Sequence, residues 1–340
     1  MRALRVATVF GTRPEAIKLA PVLMELKRRG RKVRSSVIVT AQHREMLDQV
    51  LRTFRIRPGR DLNLMKPGQS PGEVMSRILT SLDPVLETVK PDVVVVQGDT
   101  ATTFAAAMAA FLRKIPVAHV EAGLRTSDIY NPFPEEMSRR LASSLSTVHF
   151  APTTLSRDNL LAEGVDRRSI VVTGNTVIDA LFWILENRPP ARTAAGAWGE
   201  GRMLLVTTHR RENFNRPLRN ICRAILRIVS KVPDLQVVLP LHRNPNVDGP
   251  VRGMLEGRAR ITLLPPLDYI PFVHLMGRAH LILTDSGGVQ EEAPSLGIPV
   301  LVARRTTERP EGIRAGVCRL VGTESEVIER EALRLLRSPR

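Results

Sequence analysis

The chain has 340 residues, 43% of them hydrophobic and 25% charged, with a formal charge of +16. That length leaves room for two cores, and the hydrophobic share excludes a largely disordered chain. The charge raises nucleic acid as a partner, but seven Lys against 43 Arg, scattered in short clusters, and 4% aromatics make no base-stacking platform. No nucleic-acid partner is therefore expected, and the positive field suits a polyanionic small substrate instead.

Strands alternate with helices, which predicts an α/β fold with parallel sheets. Arg5–Phe10 reads as a strand, and Gly11-Thr12-Arg13-Pro14 turns into a helix running to about Arg29, with Pro14 suited to the first turn. Val33–Thr40 is a strand, Ala41–Phe54 a helix, and Leu62–Gly72 a loop punctuated by Pro and Gly before a helix to about Val89. Asp92–Val96 is an apolar strand of the kind found inside a parallel sheet. The helix Thr102–Leu112, the strand Val117–Val120, the proline-stiffened loop Asn131–Pro134 and the helix Glu135–Leu145 follow, and the strands Val148–Ala151 and Ile170–Thr173 complete this half. Composition puts a linker at Asn187–Gly201. A second series then runs through Met203–Thr207, Leu218–Lys231, Gln236–Leu241, Val247–Glu256, Ile261–Leu264, Ile270–Gly277, Leu281–Thr284, Val289–Leu296 and Val300–Ala303.

The chain's chemistry concentrates where strands meet turns. Leu281–Thr284 is followed by Asp285-Ser286-Gly287-Gly288 and a helix, an arrangement suited to holding phosphate on free backbone N–H groups at the positive end of the helix dipole. Ser286 can cap that helix or donate to a phosphate oxygen. Glu291 and Glu292 are expected in its first turn, where one of them can accept from sugar hydroxyls. The competing reading is an ordinary capped helix. In the first half Asp99 and Glu121 each fall just past an apolar strand, as buried capping carboxylates or as a pair for acid–base work. Glu135 and Arg139 have the spacing of a surface ion pair. His209, ahead of Arg210 and Arg211, suits phosphate.

Cys222 and Cys318 form neither a disulfide framework nor a metal spacing, which fits a reducing cytoplasm. No metal site is expected. The N-terminal apolar run is broken by Arg13 and Glu15, so no signal peptide is expected, and no run approaches the roughly 20 residues of a membrane span.

The segments GTRPEAIK (Gly11–Lys18), TAQHREMLDQVL (Thr40–Leu51), QGDT (Gln97–Thr100), HVEAGLRT (His119–Thr126), PEEMSRR (Pro134–Arg140), TGNTVIDAL (Thr173–Leu181), HRREN (His209–Asn213), NPNV (Asn244–Val247) and TDSGGVQEEAPSLG (Thr284–Gly297) appear in order. With these the chain closely resembles the non-hydrolysing UDP-N-acetylglucosamine 2-epimerases of bacteria, nearly end to end. The resemblance implies a GT-B-like fold, two Rossmann-like doubly wound parallel-sheet domains facing a cleft. Its hinge near the TGN motif implies domains at 1–173, on the sugar and catalytic side, and 174–340, on the UDP side. It implies a cytoplasmic homodimer that interconverts UDP-N-acetylglucosamine and UDP-N-acetylmannosamine without NAD or another cofactor, supplying cell-envelope polysaccharides.

By the same resemblance Asp99, Glu121 and Glu135 are acid–base candidates, with His209 beside them. Arg13, Lys18 and Arg139 join the substrate contacts, Ser286, Gly287 and Gly288 bind the diphosphate, Glu292 the ribose and Phe272 the uracil. Gln42, His43, Arg210 and His242 match a second, regulatory substrate site. The implied chemistry is loss of UDP to 2-acetamidoglucal, then re-addition with a proton on the opposite face. The family pattern also has a final helix beyond Leu336 that returns to the N-terminal domain, where this sequence ends at Arg337-Ser338-Pro339-Arg340, and a threonine-containing pair at Val317-Cys318. The rival readings are a GT-B glycosyltransferase, which transfers the sugar to an acceptor, and an inactive UDP-sugar sensor.

Overall fold

The computed structural model describes residues 2–41, 44–64, 66, 68–126, 128–190, 201–307 and 309–337. They form two compact units, Met1–Ala180 and Leu181–Arg340. The first contains β1 (Leu4–Phe10), α1 (Arg13–Arg28), β2 (Val33–Val39), α2 (Arg44–Thr53), β3 (Arg60–Asp61), α3 (Pro71–Val89), β4 (Val93–Gln97), α4 (Ala101–Leu112), β5 (Val117–Val120), α5 (Glu135–Leu145), β6 (Val148–Ala151), α6 (Thr154–Ala162) and β7 (Ile170–Val172). A further helix, α7 (Thr176–Asn187), carries the chain from the first unit into the second.

All strands of the first unit pair in parallel, in the order β3-β2-β1-β4-β5-β6-β7. Four successive valines give β4 the stiff, branched side chains that pack on both faces of a covered sheet, and Val94 and Val96 are fully buried. They lie in one core with Val9 and Ile38 from the neighbouring strands and Leu82 and Leu86 of α3. A reciprocal cap starts α3: the Glu73 amide donates to Ser70 Oγ at 3.3 Å, and the Ser70 amide to Glu73 Oε2 at 2.6 Å.

The second unit contains β8 (Arg202–Thr207), α8 (Arg216–Lys231), β9 (Leu235–Pro240), α9 (Pro245–Leu255), β10 (Ile261–Leu264), α10 (Tyr269–Arg278), β11 (Leu281–Thr284), α11 (Gly287–Ser295), β12 (Val300–Val302), α12 (Pro310–Arg314), β13 (Cys318–Leu320) and α13 (Ser325–Arg337). Its parallel sheet runs β10-β9-β8-β11-β12-β13. Helix α8 buries Leu218, Ile221, Cys222, Ile225, Ile228 and Val229 while Arg219, Arg223 and Arg227 stay exposed, the stripe a helix needs to lie on a sheet.

Both sheets are therefore Rossmann-like. In each, strand order reverses beside the first strand, between β1 and β4 and between β8 and β11. The connections leave those two strands in opposite directions and open a crevice at their carboxyl ends, where such folds bind ligands. Sequence patterning locates most of these elements to within a few residues. It gives no element for β3, α6, α7 or anything after Ala303. Among the described residues no helix is long and apolar enough to cross a membrane.

Candidate active site

In the first unit the crevice is tied together by Glu15, one turn into α1. Its Oε2 accepts from the amides of Gly11 (3.0 Å) and Thr12 (2.8 Å) after β1, and its Oε1 from the hydroxyl of Thr100 (2.7 Å) after β4. Burial raises its carboxyl above the usual range, and these hydrogen bonds pull in the opposite direction. Arg13 stands at the first position of α1, half-buried and without an ion pair among the described residues.

Beside this turn, β4 ends in Gly98-Asp99. Gly98 has φ +74°, a conformation that favours glycine, and its carbonyl accepts from His119 Nε2 at 2.7 Å. His119 is fully buried on β5, which pushes its imidazole down to about 4, and its Nδ1 has no hydrogen-bond partner among the described residues. Asp99 accepts from Arg139 Nη2, and Nη1 of the same guanidinium donates to Glu136 Oε2 at 3.2 Å. Glu136 is fully buried and also accepts from Arg140 Nε (2.8 Å) and the Thr126 amide (3.1 Å). Glu121 follows β5 in the left-handed region, with φ +64°. Its carboxylate pairs with the buried Lys18 ammonium and accepts from Asn175 Nδ2 at 3.1 Å. Glu135 opens α5, half-buried and without a hydrogen bond or ion pair among the described residues.

In the second unit the corresponding knot is Asp285, fully buried after β11. It accepts from Thr208 Oγ1 (3.0 Å), the amides of His209 (3.0 Å) and Arg210 (3.0 Å), and Asn213 Nδ2 (2.9 Å). One carboxylate thus holds the loop after β8 against the glycine turn after β11. His209 Nδ1 lies 3.2 Å from Asp285 Oδ1, and the ring stacks on His242 with centroids 5.6 Å apart. Ser286 takes the N-cap position of α11 but its side chain makes no cap hydrogen bond, and Gly287 and Gly288 form the first helical positions. Amides at such positions lack intrahelical partners and can meet an anion. Glu292, buried, accepts from Tyr269 Oη at 2.9 Å, and Phe272 lies half-buried on the same helix as Tyr269.

The first unit thus brings Lys18, Asp99, Glu121 and Arg139 together at its strand ends, and the second gathers His209, Arg210, His242, Ser286, Gly287, Gly288 and Glu292 around its own. Two expectations change. Arg139 pairs with Asp99 and Glu136, so the surface pair with Glu135 does not form. Helix α11 starts two residues earlier than the pattern suggests, which moves Glu291 and Glu292 out of its first turn. Glycine is a poor helix former, but at the first two positions it exposes amides and lets a ligand approach. Glu291 is instead paired with Arg309 Nε at 2.5 Å. Gln42 and His43 lie outside the described residues. Sequence reasoning missed Glu15, Glu136, Asn175, Asp285 and Tyr269. For Glu15 a signal existed, since Thr12 followed three residues later by Glu is the capping-box pattern, and the half of the box in which the Thr12 amide donates to Glu15 Oε2 is present.

The family model described as UDP-N-acetylglucosamine 2-epimerase matches residues 24–340. The chain is 54% identical to the UDP-N-acetylglucosamine 2-epimerase of Yersinia pestis over 98% of its own length and 90% of that protein. Against the crystal structure of UDP-GlcNAc 2-epimerase from Neisseria meningitidis bound to UDP-GlcNAc, the TM-score is 0.93 at 51% identity, covering 99% of this chain and 92% of that one. The calicheamicin glycosyltransferase CalG4 shares the fold, with a TM-score of 0.59 at 15% identity, covering 99% of this chain and 91% of that one.

Proposed function

The chain belongs to the UDP-N-acetylglucosamine 2-epimerase family, and from that premise we propose that it inverts C2 of UDP-N-acetylglucosamine by eliminating and re-adding UDP. The C2 proton is not adjacent to a carbonyl, so a side chain cannot simply remove it. Breaking the C1–O bond, with the electron pair leaving on the diphosphate oxygen, builds positive charge on the sugar and acidifies C2–H. A carboxylate then takes that proton, the C1–C2 double bond forms, and 2-acetamidoglucal and UDP result. Re-addition of UDP at C1 with a proton delivered to the opposite face of C2 gives UDP-N-acetylmannosamine.

The first unit supplies the carboxylates for this step, Asp99, Glu121 and Glu135, with Arg13, Lys18 and Arg139 beside them. Negative charge near the anomeric carbon stabilises an oxocarbenium-like transition state. The second unit holds the leaving group, with the diphosphate at Ser286, Gly287, Gly288 and His209, the ribose at Glu292 and the uracil at Phe272. Donors aimed at a departing diphosphate stabilise the charge that develops there. We place the functional division near residue 173, and assign Arg210 and His242 to a regulatory contact. The observation that carries the reading is the meeting of Asp99 and Glu121 with buried cations at adjacent strand ends.

The protein acts in the cytoplasm as a homodimer. Two buried thiols, pushed up by burial to about 12 at Cys222 and about 11 at Cys318, suit a reducing compartment. Phe111 and Leu112 on α4, 55% and 64% exposed, and Met137 and Leu141 on the neighbouring α5 offer a second copy an apolar face.

NMR of UDP-N-acetylglucosamine in deuterated water, with no acceptor, tests the reaction: the manno isomer should appear with deuterium at C2. Asp99→Asn, Glu121→Gln and Glu135→Gln should each cut turnover by about 10²-fold or more, the scale of acid–base groups, with UDP affinity retained. Near wild-type turnover in all three would sink the carboxylate mechanism.

A further inference from the structure

We infer that Asn175 is a positioning residue for Glu121. The inference rests on the reading above, in which Glu121 acts at the sugar. Glu121 sits in the left-handed region at φ +64°, a conformation that L side chains adopt only when their surroundings hold them there. Lys18, on α1, fixes the carboxylate from one side. The second fixed contact comes from Asn175, 54 residues away in sequence, whose Nδ2 donates to Glu121 Oε2 at 3.1 Å.

The other end of the same amide is also engaged. Asn175 Oδ1 accepts from the Val177 amide at 3.1 Å, and the Asn175 carbonyl accepts from the Ile178 amide at 3.0 Å. Asn175 therefore caps α7 with its oxygen and steers Glu121 with its nitrogen. Among the usual capping residues only asparagine has both an acceptor and an N–H donor at that reach. Serine and threonine are too short for the second contact, and an aspartate would set a carboxylate against a carboxylate. The helix so capped is the one that carries the chain from one compact unit to the other. The aim of Glu121 is thereby tied to the first turn of α7.

Asn175→Asp tests this because it keeps the cap and replaces the donor with a carboxylate that faces Glu121. The cap itself is kept, since aspartate caps as well as asparagine, and the variant's UDP affinity should match wild type. Its kcat for epimerisation should fall by about 10-fold or more with KM little changed, the scale of losing a hydrogen bond to a charged group. Asn175→Ser retains a capping hydroxyl that cannot reach Glu121, and should lose kcat to the same degree should the aspartate variant fold poorly. The double variant Glu121→Gln with Asn175→Asp should be no slower than Glu121→Gln alone, because the two residues act as one unit.

Wild-type kcat in either folded Asn175 variant overturns the inference, as does a fall in kcat matched by a fall in melting temperature in both. Wild-type kcat in Glu121→Gln would instead overturn the catalytic reading of Glu121. A slow Glu121→Gln with a fast Asn175→Asp leaves that reading standing and removes the positioning role.

Discussion

Replacing His119 with Gln should flatten the acid limb of the protein's stability. In the neutral ring Nε2 carries the proton, because the Gly98 carbonyl it meets at 2.7 Å can only accept. Nδ1 is buried with no hydrogen-bond partner among the described residues, so a second proton there would create an uncompensated charge. Burial is the main reason the imidazole falls from 6.5 to about 4, with neighbouring His149 and Arg125 adding to the effect. Between those values the unfolded chain binds a proton that the native state refuses. The stabilisation is complete above 6.5 and lost as pH falls toward 4. At about 1.4 kcal/mol per pH unit, the window amounts to about 3 kcal/mol. Glutamine keeps an N–H donor for Gly98 and does not titrate. Urea denaturation at about pH 7.5 and about pH 4.5 should show wild type losing about 3 kcal/mol more than the variant, other groups cancelling in the comparison. Amide exchange over 93–120 would assign the transition to this sheet. Equal losses in the two proteins, or an NMR titration of His119 near 6.5, would refute the reasoning.

Gly288→Val should leave the fold intact, because a Cβ there would meet only Glu292 Oε1 at 3.5 Å and Ser286 Oγ at 4.0 Å, ordinary contacts. It should still weaken UDP by about 10-fold or more by holding the anion off the helix amides; unchanged calorimetric affinity would move the diphosphate elsewhere. Asp285→Asn should cost about 2–4 kcal/mol, since an amide turns an N–H toward groups that themselves donate. A denaturant midpoint equal to wild type would show that the four donors are satisfied without the carboxylate.

The two sheets were legible from local pattern, because a parallel strand buried on both faces announces itself as an unbroken apolar run, as in Val93–Val96. Asp99 and Glu121 were legible for the same reason, each being the first carboxylate past such a run. Helix α7 escapes the pattern: Val177, Ala180, Leu181 and Ile184 make a regular buried stripe, but Ile178, Phe182 and Trp183 fill the other faces and blur its period. Strand β3 is two exposed residues long and has no apolar signature at all. The carboxylates that organise the crevices were harder still. Asp285 finds its partners more than 70 positions upstream and Glu15 finds Thr100 85 positions downstream, so their roles appear only when the sheets have closed. Asp285 stands immediately past a run that pattern does identify, yet no local feature separates a carboxylate that collects a loop from one that faces a ligand.

Glu15 and Asp285 perform the same service in unrelated sequence contexts, each joining the loop after the first strand of its sheet to the loop after the strand beyond the reversal. Each junction is made between the chain's own groups. The crevice rims are therefore ordered when the protein folds, and a nucleotide sugar meets loops whose conformational entropy has already been lost. Association should proceed without a slow ordering phase, at rates set by diffusion and by the positive field of the chain. The heat-capacity change on UDP binding should match the apolar area buried on the ligand and its immediate contacts, with no added contribution from loops folding around it.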